Sequence, residues 1–497
     1  MTDIFVPRPL PDDQNIYYVL KKPYQMRSEI QQATQAIRNA IQNAEGDPYH
    51  PRYHFTAPAN WMNDPNGTIY HDGEYHLFYQ FNPYKDRWGH IHWGHAKSMD
   101  LVNWQHLPIA LAPEKKLNEQ HCFSGCCVIQ QGTPLIVYTK IPPLSGASLF
   151  SLGSEQYLAY GDPNLVRWSK HPRNPILDQQ IHPNKRIWNW RDPYIFRENG
   201  DWFMVLAGQY FGELFGSVFL YRSPNLLDWS FVGRLYRGRR ELGRIWECPN
   251  YFKLGDRHML IVSPFRQVMY SIGDFHQLKH VGNSWRIFDY GKKFYATNTY
   301  FDDRGRTIIV GWIKAKGSGG WAGCLSLPRV ISLTENDQLT INPIPELSQL
   351  RGYHHSISRR APTIAKISRI EPIFGDSLEI KARFNIKNAN FAGFKLVDDS
   401  GENLLAYNYQ NRAFIAIHEK AKIDIDLNLN PLELHIFIDK SIIEVFINNK
   451  VCFTTTYKSK TSYQDKSFKL IPFVSGGQGE YTIDVWELTS ANITGVI

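Results

Sequence analysis

At 497 residues, 43% hydrophobic and 21% charged, the chain has room for two to four domains with real cores and is too apolar to be disordered. A net charge of +8 spread over that length is too dilute for a nucleic-acid partner, and no run approaches the roughly 18 apolar residues of a membrane span. The segment Met1 to Tyr24 shows no basic stretch followed by an apolar one, and six cysteines (122, 126, 127, 248, 324, 452) follow no metal spacing. Reduced thiols and a cytoplasmic location are therefore expected.

Residues 1–22, with three prolines and no periodicity, read as an extended arm. A helix follows. Ser28 and Gln31 have the spacing of a capping box, and Ile30, Ala33, Ile37, Ile41 and Ala44 fall on one helical face that should pack on the main domain. Gly46 suits its stop. These elements define an N-terminal extension over 1–47.

From residue 48 to 340 short apolar-aromatic runs alternate with Gly, Pro, Asn and Asp turns, the pattern of an all-β domain. The segments Asp100-Leu101-Val102-Asn103-Trp104, Asn164-Leu165-Val166-Arg167-Trp168 and Asn225-Leu226-Leu227-Asp228-Trp229 repeat one another. Strand-turn-strand units start near 64, 124, 192, 247 and 297, about 50 to 68 residues apart. Self-similarity at that period predicts a five-bladed β-propeller. Asn342-Pro343-Ile344-Pro345 marks a linker over 341–355. Beyond it, over 356–497, strands alternate cleanly. Leu378, Ile380, Ala382, Phe384 and Ile386 face one way, and Leu434 to Ile438 should form a hairpin with Ile442 to Ile447. This predicts a separate antiparallel β-sandwich.

The repeat carries a chemical expectation. First strands of propeller blades line the channel, and Asp64, Asp192 and Glu247 read at one repeat phase, so they should converge at one end of it. Three converging carboxylates repel, so at least one proton should be held more tightly than usual. A protonated and an ionised carboxyl facing one another are what glycosidic cleavage needs. A residue before proline is pushed to extended geometry, which suits Asp64 and Asp192 at strand starts. His90, His92 and His95 invite a metal reading, but strand alternation favours packing, and no metal or cofactor is expected.

Trp61-Met62-Asn63-Asp64-Pro65-Asn66-Gly67, Phe123-Ser124-Gly125, Arg191-Asp192-Pro193 and Trp246-Glu247-Cys248-Pro249 closely resemble glycoside hydrolase family 32, the invertases, sucrose-6-phosphate hydrolases, inulinases and levanases. The likeness runs on through Trp93-Gly94-His95-Ala96, Phe294-Tyr295-Ala296, Ser326-Leu327-Pro328-Arg329 and Ile443-Glu444-Val445-Phe446. The resemblance implies a five-bladed β-propeller followed by a C-terminal β-sandwich, and retaining hydrolysis of β-fructofuranosides such as sucrose or sucrose-6-phosphate. It makes Asp64 the nucleophile, Glu247 the acid/base and Asp192 the stabiliser of the fructosyl transition state. Asn63, Gln80, Trp88, Phe123, Ser124, Arg191 and Tyr295 would bind the fructosyl ring. Arg191 should keep Asp192 ionised while Glu247 stays protonated. Cys126-Cys127 and Asn250 depart from the family pattern and leave the leaving-group side open. Arg237, Arg239, Arg240 and Arg244 precede Glu247 and could hold a phosphate on the leaving sugar. A fructosyltransferase on the same scaffold and a non-catalytic carbohydrate-binding protein are the alternatives. The expected partner is a small sugar, and the expected state is a monomer or homodimer.

Overall fold

Dipeptides that favour left-handed backbone set the hairpins of the first domain. Asp72-Gly73, Gln131-Gly132 and Asn199-Gly200 all take positive φ at both positions, the geometry of two-residue hairpin turns whose twist matches the strands they join. The computed structural model describes residues 28–143, 153–183, 186–361, 372–399, 401–423, 431–458 and 468–495; the arm expected over 1–22 lies outside the described residues. Helix α1 (Ser28–Glu45) buries Ile30, Ala33, Ile37 and Ala44. Its end packs on Gly320, and the Asp47 carboxylate accepts the backbone N–H groups of Ser318 and Gly319. Ser28 donates its hydroxyl to Glu29 at 3.0 Å instead of closing the expected box with Gln31.

Blade I consists of β1 (Asn60–His71), β2 (Glu74–Asn82), β3 (His92–Ser98) and β4 (Trp104–Leu111). Blade II follows with β5 (His121–Gln130), β6 (Thr133–Ile141), β7 (Glu155–Gly161) and β8 (Trp168–Lys170). Blade III has β9 (Ile187–Glu198), β10 (Asp201–Tyr210), β11 (Ser217–Ser223) and β12 (Ser230–Arg237). Blade IV has β13 (Glu247–Leu254), β14 (Arg257–Ser263), β15 (Met269–His276) and β16 (Lys279–Ile287). Blade V is built from β17 (Phe294–Phe301), β18 (Thr307–Lys316), β19 (Trp321–Leu325), β20 (Arg329–Leu333) and β21 (Leu339–Pro343).

Each blade is antiparallel, and the first strands touch in cyclic order, β1 with β5, β5 with β9, β9 with β13, β13 with β17 and β17 with β1. The ring therefore closes by packing, helped by a parallel pairing of Asn60 with Trp321 between β1 and β19. This is the five-bladed propeller that the repeat predicts. The tryptophan repeat proves to be a turn device. Leu101, Leu165 and Leu226 all take positive φ, and Trp104, Trp168 and Trp229 each donate the indole N–H to that leucine's carbonyl.

Residues 351–488 form the sandwich, two six-stranded antiparallel sheets among the described residues. Leu378, Ile380, Ala382 and Phe384 are buried between them, with Ile386 at the core's edge, and the hairpin of Leu432–Asp439 with Ile442–Ile447 forms as expected. A buried ionic cluster joins the sandwich to the propeller. Asp439 accepts the backbone N–H groups of Arg52, Tyr53 and His54 and pairs with His54 Nδ1 at 2.9 Å. Glu444 takes His54 Nε2 at 3.0 Å, the Leu327 N–H at 2.7 Å and Arg329 Nη2 at 2.6 Å, while Arg329 Nη1 reaches Asp289 at 2.8 Å. The segments 326–329 and 443–446, singled out above for their resemblance, thus meet at the domain junction.

Candidate active site

Each first strand carries one extra residue at the same place. Met62 pairs with Phe81 but Pro65 with Tyr79, and Cys122 pairs with Lys140 but Gly125 with Tyr138. Arg191 pairs with Ala207 but Tyr194 with Val205, Glu247 with Ser263 but Asn250 with Ile261, and Tyr295 with Trp312 but Thr297 with Gly311. Such β-bulges bend a strand and re-aim its side chains. Here all five bulges face the same end of the channel, and every expected site residue except Gln80 and Trp88 sits on one. Pro193 and Pro249 occupy unpaired bulge positions, where a missing N–H is harmless.

The bulges correct the expected phase. Glu247 is the first residue of its strand and is paired just ahead of the bulge, level with Arg191 and Tyr295. Asp192 is one step further, level with Asn63, Phe123 and Cys248, and Asp64 is two steps further, level with Ser124. The three carboxylates come from three successive positions, not from one. They nonetheless meet because the bulges differ: Asp192, Cys248 and Ala296 take φ of 64°, 47° and 47°, whereas Asn63 and Phe123 are not left-handed. Asp192 therefore departs from the extended geometry expected before proline.

Asp64 is held from several sides. Its Oδ2 accepts Ser124 Oγ–H at 2.6 Å, the Cys248 thiol at 3.3 Å and Gln80 Nε2 at 3.3 Å, and its Oδ1 accepts Asn63 Nδ2 at 3.0 Å. Asn63 also donates to Gln80 Oε1 at 2.8 Å and accepts the Trp61 indole N–H at 2.7 Å. Burial, then the charge of Glu247, raises the Asp64 pKa, against the stabilising bonds from Ser124, Asn63 and Cys248. Asp192 Oδ2 accepts the backbone N–H of Cys248 at 2.9 Å. Burial raises its pKa; the Arg191 charge opposes this, and the carboxylates of Glu247 and Asp64 add to it.

Arg191 corrects a second expectation. Its Nη2 donates to Glu247 Oε1 at 2.6 Å, while its Nε stays 3.9 Å from Asp192. Glu247 Oε2 accepts the Tyr295 hydroxyl at 2.7 Å. The guanidinium lies with Glu247 because the two are level across adjacent blades. The Glu247 side chain keeps 21% of its surface exposed, against 6% for Asp192, so it faces the pocket mouth.

Phe123 is buried, with its ring edge-on to Trp88 at 6.2 Å; Trp88, 43% exposed, stands at the mouth. Cys126 and Cys127 point to opposite faces of β5 and fill separate inter-blade cores. Asn250 donates to the carbonyls of Cys248 and Thr297 and so clamps the β13 bulge to β17. Of the three histidines, His90 is an exposed turn residue, His92 bonds the His90 carbonyl, and His95 bonds His76 and stacks on Phe78 at 4.0 Å. Arg237 ends β12 and lies 3.8 Å from Glu213, and Arg239, Arg240 and Arg244 follow on the segment that leads into Glu247; all four are exposed. Two residues of the pocket were missed: Trp312, edge-on to Trp61 at 5.5 Å, and Lys314, whose ammonium lies 4.0 Å from the Tyr295 ring centre. No spacing in the sequence marks them, since they reach the site only through the pairing of β18 with β17.

Residues 54–343 match the glycosyl hydrolases family 32 N-terminal domain, and residues 346–487 match the family 32 C-terminal domain. The chain belongs to glycoside hydrolase family 32. Its family 32 relatives include a sucrose-6-phosphate hydrolase of Zymomonas mobilis, 32% identical over 93% of this chain and 96% of the relative. A raffinose invertase of Escherichia coli is 29% identical over 93% of this chain and 100% of its own. Among solved structures, a family 32 β-fructofuranosidase from Bombyx mori in complex with sucrose superposes with a TM-score of 0.79 at 26% identity, covering 95% of this chain and 100% of that one.

Proposed function

We propose that this family 32 enzyme is a retaining β-fructofuranosidase that releases fructose from sucrose and related small fructosides. The observation that carries the reading is the meeting of Asp64, Asp192 and Glu247 on the bulges of blades I, III and IV, with Asp64 oriented by Ser124, Asn63 and Gln80. Burial and mutual repulsion push the pKa values of both Asp64 and Asp192 upward, while Arg191 reaches Glu247 and lies near Asp192. Asp64 attacks C2 of the fructosyl unit and forms a covalent ester. Glu247, more open than Asp192, delivers a proton to the departing oxygen and then takes one from water. Asp192, fixed by the Cys248 N–H, faces the fructose hydroxyls and the positive charge that develops on the ring. Asn63, Gln80 and Ser124 serve both to hold Asp64 and to line the fructosyl pocket, with Trp88 and Phe123 as its apolar wall. Proton NMR of early sucrose hydrolysis tests this directly: β-fructofuranose appears first, whereas an α-anomer burst would exclude retention.

A phosphorylated leaving sugar is the finer substrate reading. Arg239, Arg240 and Arg244 are exposed on the segment that leads into Glu247, which leaves their guanidinium groups open to a phosphate. Arg239→Glu with Arg240→Glu raises KM for sucrose-6-phosphate at least 10-fold more than for sucrose. Equal effects on both substrates would refute that reading. The buried thiols are in keeping with a cytoplasmic enzyme.

A further inference from the structure

The blade V wall carries a cation that the chemistry above does not use. Tyr295 on β17 lies opposite Trp312 on β18, and Lys314, two residues further along β18, shares their face. Its Nζ lies 4.0 Å from the Tyr295 ring centre and 5.4 Å from that of Trp312. Aromatic faces hold an ammonium from one side and leave N–H donors for another partner. Burial lowers the Lys314 pKa, against the charges of Glu247 and Asp64, which raise it.

A second residue meets the same tyrosine. The Tyr295 hydroxyl that donates to Glu247 also accepts the backbone N–H of Phe265 at 3.0 Å. Phe265 is 62% exposed, takes a φ of 57°, and holds its ring 6.4 Å from that of Tyr295. A left-handed aromatic residue is strained and persists only where its surroundings enforce it. Tyr295 thus gathers the proton donor, an ammonium and an open aromatic ring at one edge of the pocket.

We propose that Lys314 and Phe265 form the leaving-group subsite, Phe265 presenting an apolar face to the departing sugar ring and Lys314 donating to its hydroxyl oxygens. The inference rests on the β-fructofuranosidase reading, which puts the departing oxygen beside Glu247. A sugar acceptor enters where a sugar leaves. In that transfer the C2–Asp64 ester bond breaks, the acceptor oxygen bonds C2, and the acceptor's proton passes to Glu247. The same two residues therefore set how the fructosyl-enzyme divides between water and a sugar hydroxyl.

The test is a comparison of sucrose with β-fructosyl fluoride, whose leaving group has no ring to bind, for Lys314→Met, Lys314→Gln, Lys314→Arg and Phe265→Ala. Lys314→Met, Lys314→Gln and Phe265→Ala lower kcat/KM on sucrose about 10-fold or more, as loss of a charged donor or an aromatic contact implies. On the fluoride they stay within about 2-fold of the parent, so a folded pocket is verified in the same experiment. Lys314→Arg recovers most of the sucrose activity, and at high sucrose the Met and Gln variants form fewer transfer products per fructose released. Parallel losses on both substrates, a shifted pH profile with unchanged substrate preference, or no change would each overturn the proposal. Failure of the parent enzyme on sucrose and fluoride alike would instead overturn the β-fructofuranosidase reading on which it rests.

Discussion

Ser124 is the closest donor to Asp64, at 2.6 Å, and it favours the ionised form of an acid that burial pushes upward. Removing it disfavours the carboxylate, so the pKa rises further. Ser124→Ala should therefore move the acid limb of the kcat/KM profile to higher pH, by about 1 unit, equivalent to about 1.4 kcal/mol. A limb that stays in place would show that another group controls it. Arg191 teaches a related point. Its neighbour in sequence is Asp192, yet its short contact is with Glu247 on the next blade. Arg191 is paired at the level of Glu247, whereas Asp192 lies inside the bulge at a φ of 64°, so the partner is set by the level on the blade alongside and not by adjacency in sequence.

At the scale of the element, the bulges do the aiming, and they leave little room. A Cβ on Gly125 would stand 2.0 Å from the Val137 carbonyl oxygen and 2.7 Å from Tyr138 Cα, both backbone atoms that cannot swing aside. Gly125→Ala is expected to cost about 1–3 kcal/mol and to displace Ser124 from Asp64. A thermal melt checks the first effect and kcat the second; an unchanged melting temperature would contradict the close packing. The blade count was readable because turn dipeptides and the Leu-to-Trp segment recur in chain order. The phase of the carboxylates was not. Asp64-Pro65 and Asp192-Pro193 look equivalent as text, but strand pairing places Pro65 beyond its bulge and Pro193 within one. A one-residue insertion in a strand shows itself only in register with its partner.

At the scale of the whole molecule, the junction cluster ties 52–54 and 327–329 of the propeller to Asp439 and Glu444 of the sandwich. Long-range pairing of this kind leaves no spacing to read, so the sequence showed two separate segments where the fold makes one joint. His54 sits between two carboxylates, and their bonds outweigh burial and push its pKa up to about 9 from an ordinary 6.5. Its contribution to stability is complete below pH 6.5 and is lost as pH rises through about 9. Asp439 and Glu444 are shifted downward, so their contributions are present above the usual carboxylate range and fade only as pH falls below it. Melting temperature should drop between pH 7 and pH 10, and His54→Gln should flatten that drop; parallel declines would remove His54 from the account. Glu444→Ala removes one of the two buried carboxylates that each of Arg329 and His54 faces, leaving Asp289 and Asp439, and should cost about 3–5 kcal/mol, read from the melting temperature.

The central claim is the division of labour between Asp64 and Glu247, and azide rescue tests it most directly. Glu247→Ala should lose about 10²–10⁴-fold on sucrose, yet still form the fructosyl-enzyme from fructosyl fluoride, whose departure needs little acid help. Added azide needs no general base, so it should restore turnover of this variant and yield a β-configured fructosyl azide. Asp64→Ala should stay inactive on every fructoside, with or without azide. Rescue of the Asp64 variant instead, with an α-configured azide as product, would contradict the assignment.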